Sequence, residues 1–424
     1  MSTGKPELPA ERLALLYHLS QTFNSSLDLD EVLNRVMDEV IAATQAERGF
    51  VTLRGDDGDL DFRVARGLDQ TTIDDPQFQI SRSVVEEVAQ KGEPVLTSNA
   101  QQDERFSARH SVMILGLRSI ICAPLKVKDA VTGVIYVDNR LQAGIFTQED
   151  LELLSTLASS AAIAIENARL YQVAVEKGRM ERELQMAFKV QSSLIPEDTP
   201  QIPGWEFVAH WQPAREVAGD YYDFITHENS RVGLLIADVT DKGMPAALFM
   251  ALTRSIVRAS LDQAASPAEG ITRANRLICA DSTSNMPVTL FYGLLDTTRA
   301  QITYVNAGHN PPIYYDAERD EFIKLTRTGI FLGFDEQTVY EQKALALNAG
   351  DFIVFYTDGV TDAIDADQRE FGQERFERLI MDHHQESAGE ILAALEHALA
   401  DFTDLTAPYD DITLLIVKRH GKLI

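Results

Sequence analysis

Residues Leu234 to Arg254 read LLIADVTDKGMPAALFMALTR. An apolar run suited to a short strand ends at Asp238, a polar loop follows, and beyond Gly243 and Pro245 the chain turns rich in Ala, Leu and Met, as a helix would be. The segment places a carboxylate where a strand leaves a sheet. The loop behind it, Asp238-Val239-Thr240-Asp241-Lys242-Gly243, is charged enough to hold an ion or a phosphate. Taken alone, the same residues make an ordinary strand-to-helix connection with Asp and Gly as turn residues. The choice depends on whether other strands bring carboxylates to the same place.

Several strands are candidates. Asp220 in AGDYYDF, Asp238 and Asp241 in LLIADVTDKG, Asp358 and Asp362 in FYTDGVTDA, and Asp410 and Asp411 in PYDDITLL all adjoin apolar strands, so folding can gather them on one rim. Asp241 and Asp362 read better as turn or cap residues. Two unit charges about 4 Å apart repel by roughly 4 kcal/mol at an effective dielectric near 20, so such a cluster is hard to explain structurally without cations. Four carboxylates, at about −4, balance two divalent cations at about +4. Carboxylate-bridged ion pairs are one standard remedy for the very slow hydrolysis of phosphate monoesters.

Beyond Gly204, strand patterns over 205–211, 219–225, 232–237, 288–296, 300–306, 312–316, 351–356 and 412–418 interleave with helical patterns over 245–263, 267–281, 373–382 and 388–405. Two packed sheets flanked by helices are expected. The first half differs. Leu13, Leu15, Leu16 and Leu19, then Val32, Leu33, Val36, Met37, Val40 and Ile41, recur at helical spacing. Strands over 49–53, 61–65, 95–97, 119–127 and 131–139, a helix over 83–90 and a long polar loop over 98–110 complete a mixed α+β domain.

Between the halves, residues 149–194 read as one helix with no Pro and a single glycine, Gly178, stopped by Pro196, Pro200 and Pro203. A heptad frame from Ile163 pairs Ile163/Glu166, Leu170/Val173, Lys177/Met180, Leu184/Ala187 and Gln191/Leu194. Seven of these ten are apolar, enough for a parallel coiled-coil dimer with a weak seam. The alternative is an amphipathic helix packed on its own domains.

Composition sets outer limits. A net charge of −27 over 424 residues argues against nucleic acid as a partner and suits metal cations or a basic partner face. The two cysteines, Cys122 and Cys279, lie in apolar runs and read as reduced core residues. With no signal core and no apolar run of about 18 residues, a cytoplasmic protein without a membrane partner is expected.

Two resemblances add to this. ICAPLKVKDAVTGVIYVDNR (121–140) with FTQEDLELLSTLASSAAIAIENARLY (146–171) resembles a GAF sensory domain, which implies a ligand pocket on one sheet face beneath the loop near 98–113, the ligand unknown. VQSSLIP...WQPAREVAGDYYDF, ADVTDKGMPAALFMA, LFYGLLD...ITYVNAGHNPPI, GDFIVFYTDGVTDA, FGQERF and DDITLLIV, in that order, resemble the bacterial PPM-type (protein phosphatase 2C-like) serine/threonine phosphatases of the partner-switching class. The resemblances imply a multidomain α+β chain. It comprises a GAF-like α/β/α sheet domain (11–168), a coiled-coil linker helix (169–196) and an α-β-β-α phosphatase sandwich (197–421).

The second resemblance implies a metal-dependent hydrolase of phosphoserine or phosphothreonine on a STAS-type anti-anti-sigma partner, by water attack without a phosphoenzyme; the homodimer is expected from the heptad seam of the linker helix. It also implies that Asp220 and Asp238 bridge two Mn2+ or Mg2+ ions, with the Val239 carbonyl a further ligand, Asp358 and Asp410 on the second ion, and Asp411 their neighbour. Three departures are visible. Ala218-Gly219 replaces Gly-Gly, Asp241 stands where the family has Gly, and no His follows the bridging Asp. Leaving-group protonation then has His309 as one option, a residue that reads equally as part of a turn. No Arg is marked as a phosphate clamp, which leaves Lys242 as the nearest cation. A non-catalytic scaffold that binds a signalling partner is the alternative function. A nucleotide cyclase is a third, for which the six motifs have no counterpart.

Overall fold

The computed structural model describes residues 17, 21–23, 25–55, 57–69, 72–73, 80–100, 103, 117–227, 230–281, 286–404 and 408–420. Its contacts divide the chain into two compact units, Met1–Met180 and Glu181–Ile424.

In the first unit, α1 (Leu29–Thr44), β1 (Arg48–Arg54), β2 (Leu60–Gly67), α2 (Arg82–Lys91), β3 (Val95–Thr97), β4 (Ser119–Val127) and β5 (Ala130–Asn139) lead into α3 (Gln148–Ser192). The strands form one antiparallel sheet, β2-β1-β5-β4-β3. Period-2 alternation sorts its faces. Ile121, Ala123, Leu125, Ile135 and Val137 pack with α1 and the first turns of α3, whereas Ile120, Cys122, Val134 and Tyr136 pack with α2. The result is the expected α/β/α layering. Asp28 caps α1 by accepting from the Glu31 N–H. The helical pattern through Leu13 to Leu19 and most of loop 98–113 lie outside the described residues. A cavity of about 880 Å³ is bounded instead by Arg54, Leu60 and Phe62 at the β1–β2 edge and Val85, Glu86 and Ala89 of α2.

α3 is one continuous helix, close to the expected 149–194. Leu154, Leu157, Ala158, Ala161, Ala162 and Ile165 are buried on the sheet. Ile163, Leu170, Val173 and Met180 of the heptad frame are 53–59% exposed.

The second unit holds β6 (Trp205–Gln212), β7 (Tyr221–His227), β8 (Arg231–Val239), α4 (Met244–Asp262), α5 (Pro267–Asp281), β9 (Val288–Asp296), β10 (Gln301–Ala307), β11 (Ile313–Asp316), β12 (Glu321–Lys324), β13 (Lys343–Ala346), β14 (Phe352–Tyr356), α6 (Asp358–Thr361), α7 (Gln373–Asp382), α8 (Ala388–Phe402) and β15 (Ile412–Arg419). Two antiparallel sheets result, β13-β10-β9-β8-β7 and β12-β11-β14-β15-β6. Ile353, Phe355, Leu415 and Val417 join the core shared with the first sheet and α4 and α5. Their alternates Phe352, Val354, Leu414 and Ile416 pack on α7 and α8. This α-β-β-α order follows from strands apolar on both faces. Ser387 and Glu390 form a capping box on α8.

Candidate metal centre and active site

Antiparallel pairing explains how the carboxylates meet. Asp220 directly precedes β7 and Asp238 is the penultimate residue of β8; Tyr221 pairs with Ala237, so both leave the same end of the first sheet. In the second sheet Asp358 follows β14 and Asp411 directly precedes β15, with Tyr356 paired to Leu414. Thr413 ties the two ends together. Its Oγ1 donates to Asp220 Oδ2 at 2.8 Å while its N–H donates to Thr357 Oγ1 at 3.0 Å.

Asp411 adds a second tie. Its Oδ1 accepts from the Ala214 N–H at 2.8 Å and its Oδ2 from the Gly219 N–H at 2.7 Å, so the loop leading into Asp220 hangs on this carboxylate. Two close backbone approaches require glycine. A Cβ on Gly219 would stand 2.7 Å from the Val239 carbonyl oxygen, and one on Gly359 would stand 2.1 Å from that of Asp411. The Val239 carbonyl thus faces the chain at the residue before Asp220.

The carboxylates perturb one another strongly. Burial, then the charges of Asp238 and Asp411, push the Asp220 carboxyl well above the usual range. Burial, then Asp358 and Asp410, push Asp238 up to about 7. Asp358 is raised by burial, Asp410 and Asp362, and Asp411 by burial against the pull of its backbone hydrogen bonds. A set of hard oxygen donors whose like charges disfavour ionisation fits divalent Mg2+ or Mn2+ in donor type and in charge. Among the described residues, no three His, Cys, Asp or Glu side chains are drawn around one point tightly enough to form a finished coordination set.

The cation nearest the rim is already engaged. Lys242 Nζ lies 2.9 Å from Asp410 Oδ2, donates to the Tyr409 carbonyl at 2.9 Å and stands 4.5 Å above the Tyr409 ring. Asp241 adopts the left-handed backbone that favours glycine, with φ +88°, and its Oδ1 accepts from the Lys242 N–H at 2.8 Å. His309 is buried, with Nδ1 2.8 Å from Thr289 Oγ1 and its N–H donated to Asn306 Oδ1 at 2.9 Å. Burial lowers its pKa to about 3, so the imidazole is neutral near pH 7. The turn reading of His309 is the one the structure supports.

Gln191 needs correction. Assigned to the heptad seam, it is instead buried in the second unit, its Nε2 donating to the Ala218 carbonyl at 2.7 Å and its Oε1 accepting the Ala218 N–H at 3.0 Å. One turn earlier Phe188 stacks on Trp211 at 5.9 Å, and Trp211 Nε1 donates to the Asp220 carbonyl at 2.9 Å. The end of α3 therefore grips the loop that carries Asp220. Its polar character is a hydrogen-bonding requirement of that loop.

Paired antiparallel sheets between helices, with carboxylates collected at one end, define a PP2C-type phosphatase domain. The family model for stage II sporulation protein E (SpoIIE) matches residues 228–420 and that for the GAF domain matches 28–165. The chain is 31% identical over 240 residues to the phosphoserine phosphatase RsbU of Bacillus subtilis (strain 168), covering 56% of this chain and 70% of that protein. It belongs to this family of protein phosphatases, of the partner-switching class. Protein IcfG of Synechocystis is 28% identical over 274 residues, and B. subtilis RsbP, also a phosphoserine phosphatase, 28% over 189. The matches cover 58% and 43% of this chain but under half of each relative, 43% and 45%. The SiaA PP2C domain of Pseudomonas aeruginosa shares the fold, with a TM-score of 0.52 at 20% identity, over 58% of this chain and 100% of that domain. No described helix is long and apolar enough to cross a membrane.

Proposed function

We propose that the chain is a metal-dependent phosphatase for phosphoserine or phosphothreonine on a STAS-type anti-anti-sigma partner, regulated by its GAF domain through a dimeric linker helix. Residues 11–168 are the sensory module, 169–196 the linker and 197–421 the catalytic domain in this reading. The observation that carries it is the rim of Asp220, Asp238, Asp358 and Asp410, where burial and then the charges of Asp358 and Asp410 raise the pKa of Asp238 to about 7. Two Mn2+ or Mg2+ ions there would neutralise the substrate phosphate and activate the attacking water. Asp220 and Asp238 would hold both ions with the Val239 carbonyl, and Asp358 and Asp410 the second.

Asp411 serves differently in this reading. With both oxygens on backbone N–H groups, it positions the Asp220 loop and stands behind the metal ligands. Hydrolysis adds water to phosphorus, breaks the bond to the seryl oxygen, and returns a proton to that oxygen.

Regulation has a structural handle in Gln191 and Phe188. A shift of the α3 terminus would act on the loop around Asp220, provided that a GAF ligand or partner binds two arrangements with different affinity. Release of phosphate from a phosphoserine STAS domain by the full chain should require Mn2+ or Mg2+ and fall at least ~100-fold in Asp238→Asn. Binding of the same domain without turnover under any metal would instead identify a scaffold.

A further inference from the structure

Strand β15 opens Ile412-Thr-Leu-Leu-Ile-Val, and Thr413, fully buried, is its single polar residue as far as Val417. Valine has the same shape with no polar atom to bury, so a hydroxyl kept at this position must find a partner. The partner belongs to the other sheet: Thr413 Oγ1 donates to Asp220 Oδ2 at 2.8 Å.

Thr357 sets up this contact. Strands β14 and β15 pair as far as Tyr356 and Leu414, and one residue further the Thr357 N–H still donates to the Thr413 carbonyl at 3.1 Å. The returning bond differs. The Thr413 N–H donates at 3.0 Å to the Thr357 hydroxyl in place of its carbonyl, and that carbonyl accepts from the Val360 N–H of α6 at 3.2 Å. Thr357 stands at the N-cap position of α6 without capping it through its side chain, because the hydroxyl is used on β15. One threonine thus ends the ladder with its hydroxyl and starts the helix that opens with Asp358. Asp220 is held at three points as a result. Asp411 Oδ2 takes the N–H of Gly219 just before it, Trp211 Nε1 donates to its carbonyl at 2.9 Å, and Thr413 binds one oxygen of its carboxylate. A carboxylate anchored in this way cannot rotate freely to suit a larger ion. Mg2+ demands near-ideal octahedral geometry at short distance, whereas Ca2+ accepts longer bonds and irregular shells.

We propose that Thr413 is the positioning residue that makes the rim select Mg2+ over Ca2+, by holding the Asp220 carboxylate in one orientation. This rests on the metal-dependent reading above and extends it from which residues bind the ions to which ions they accept. Thr357 supports Thr413 and fixes the point at which Asp358 leaves the sheet.

The test is calorimetric titration of the full chain with Mg2+ and, separately, with Ca2+, alongside melting curves in EDTA. Thr413→Val keeps the shape and removes the donor. Its Mg2+ affinity should fall roughly 10- to 100-fold and its Ca2+ affinity by less than about 3-fold, so that the ratio of the two drops. Thr413→Ser, which keeps the hydroxyl, should recover most of the Mg2+ loss. A merely structural role would weaken both ions together and lower the melting temperature in EDTA. A Mg2+ to Ca2+ ratio in Thr413→Val equal to that of wild type, or no recovery with serine, overturns the proposal. Should Thr413→Val fail to fold, Thr357→Val, which removes the acceptor of the Thr413 N–H, is read on the same ratio, and an unchanged ratio there has the same force. Wild type that binds neither ion refutes the metal-dependent reading itself. Wild type that binds both ions equally leaves that reading standing and refutes selection by Thr413.

Discussion

Asp241 condenses the difference between pattern and structure at the scale of one residue. The sequence shows an acid where relatives of its type would have glycine, and the structure shows that the backbone is still the glycine-type one, φ +88°. Aspartate tolerates that region better than most side chains because its oxygen can bind nearby backbone, here the Lys242 N–H. Asp241→Gly should therefore fold with undiminished stability. Asp241→Val, which has neither the freedom nor the oxygen, should lose about 1–2 kcal/mol in urea unfolding. Equal midpoints for the two variants would show that the loop relaxes to another conformation. The acids Asp220, Asp238, Asp358 and Asp410 were legible because each interrupts an apolar strand end. The ties made by Thr413 and Asp411 were not, since a Thr or a second Asp beside a strand gives no sign of which atoms it will meet 190 residues away.

Among the elements, the long strands and helices followed their periodicity, whereas β12 and β13, four residues each at sheet edges, and the four-residue α6 carry too few residues for a period to show. The end of α3 is more instructive. A heptad frame continued through Gln191 because spacing alone cannot tell a seam position from one buried against another loop. In the fold the Gln191 amide satisfies both the N–H and the carbonyl of Ala218. Truncation in Gln191→Ala should leave these buried groups unpaired and cost about 1–3 kcal/mol, with phosphatase rate and metal affinity falling together as the Asp220 loop loosens. Denaturant melts and Mn2+ titrations of the variant check this. A variant with full stability and full activity would remove α3 from any regulatory role.

At the scale of the whole molecule, Ile163, Leu170, Val173 and Met180 are exposed along α3, and we propose them as the seam with a second copy. Sedimentation of the full chain should give a dimer, and Leu170→Asp with Val173→Asp should give a monomer; an unchanged mass would exclude the linker seam. Within the catalytic unit, the proposed chemistry requires cations that relieve the repulsion among the rim carboxylates. Isothermal calorimetry with Mn2+ on the full chain tests that directly. Wild type is predicted to bind about two ions per chain, and Asp238→Asn, which would remove the proposed ligand shared by both, to lose measurable binding. Equal stoichiometry and affinity in the two proteins, or no Mn2+ binding by wild type, would contradict it.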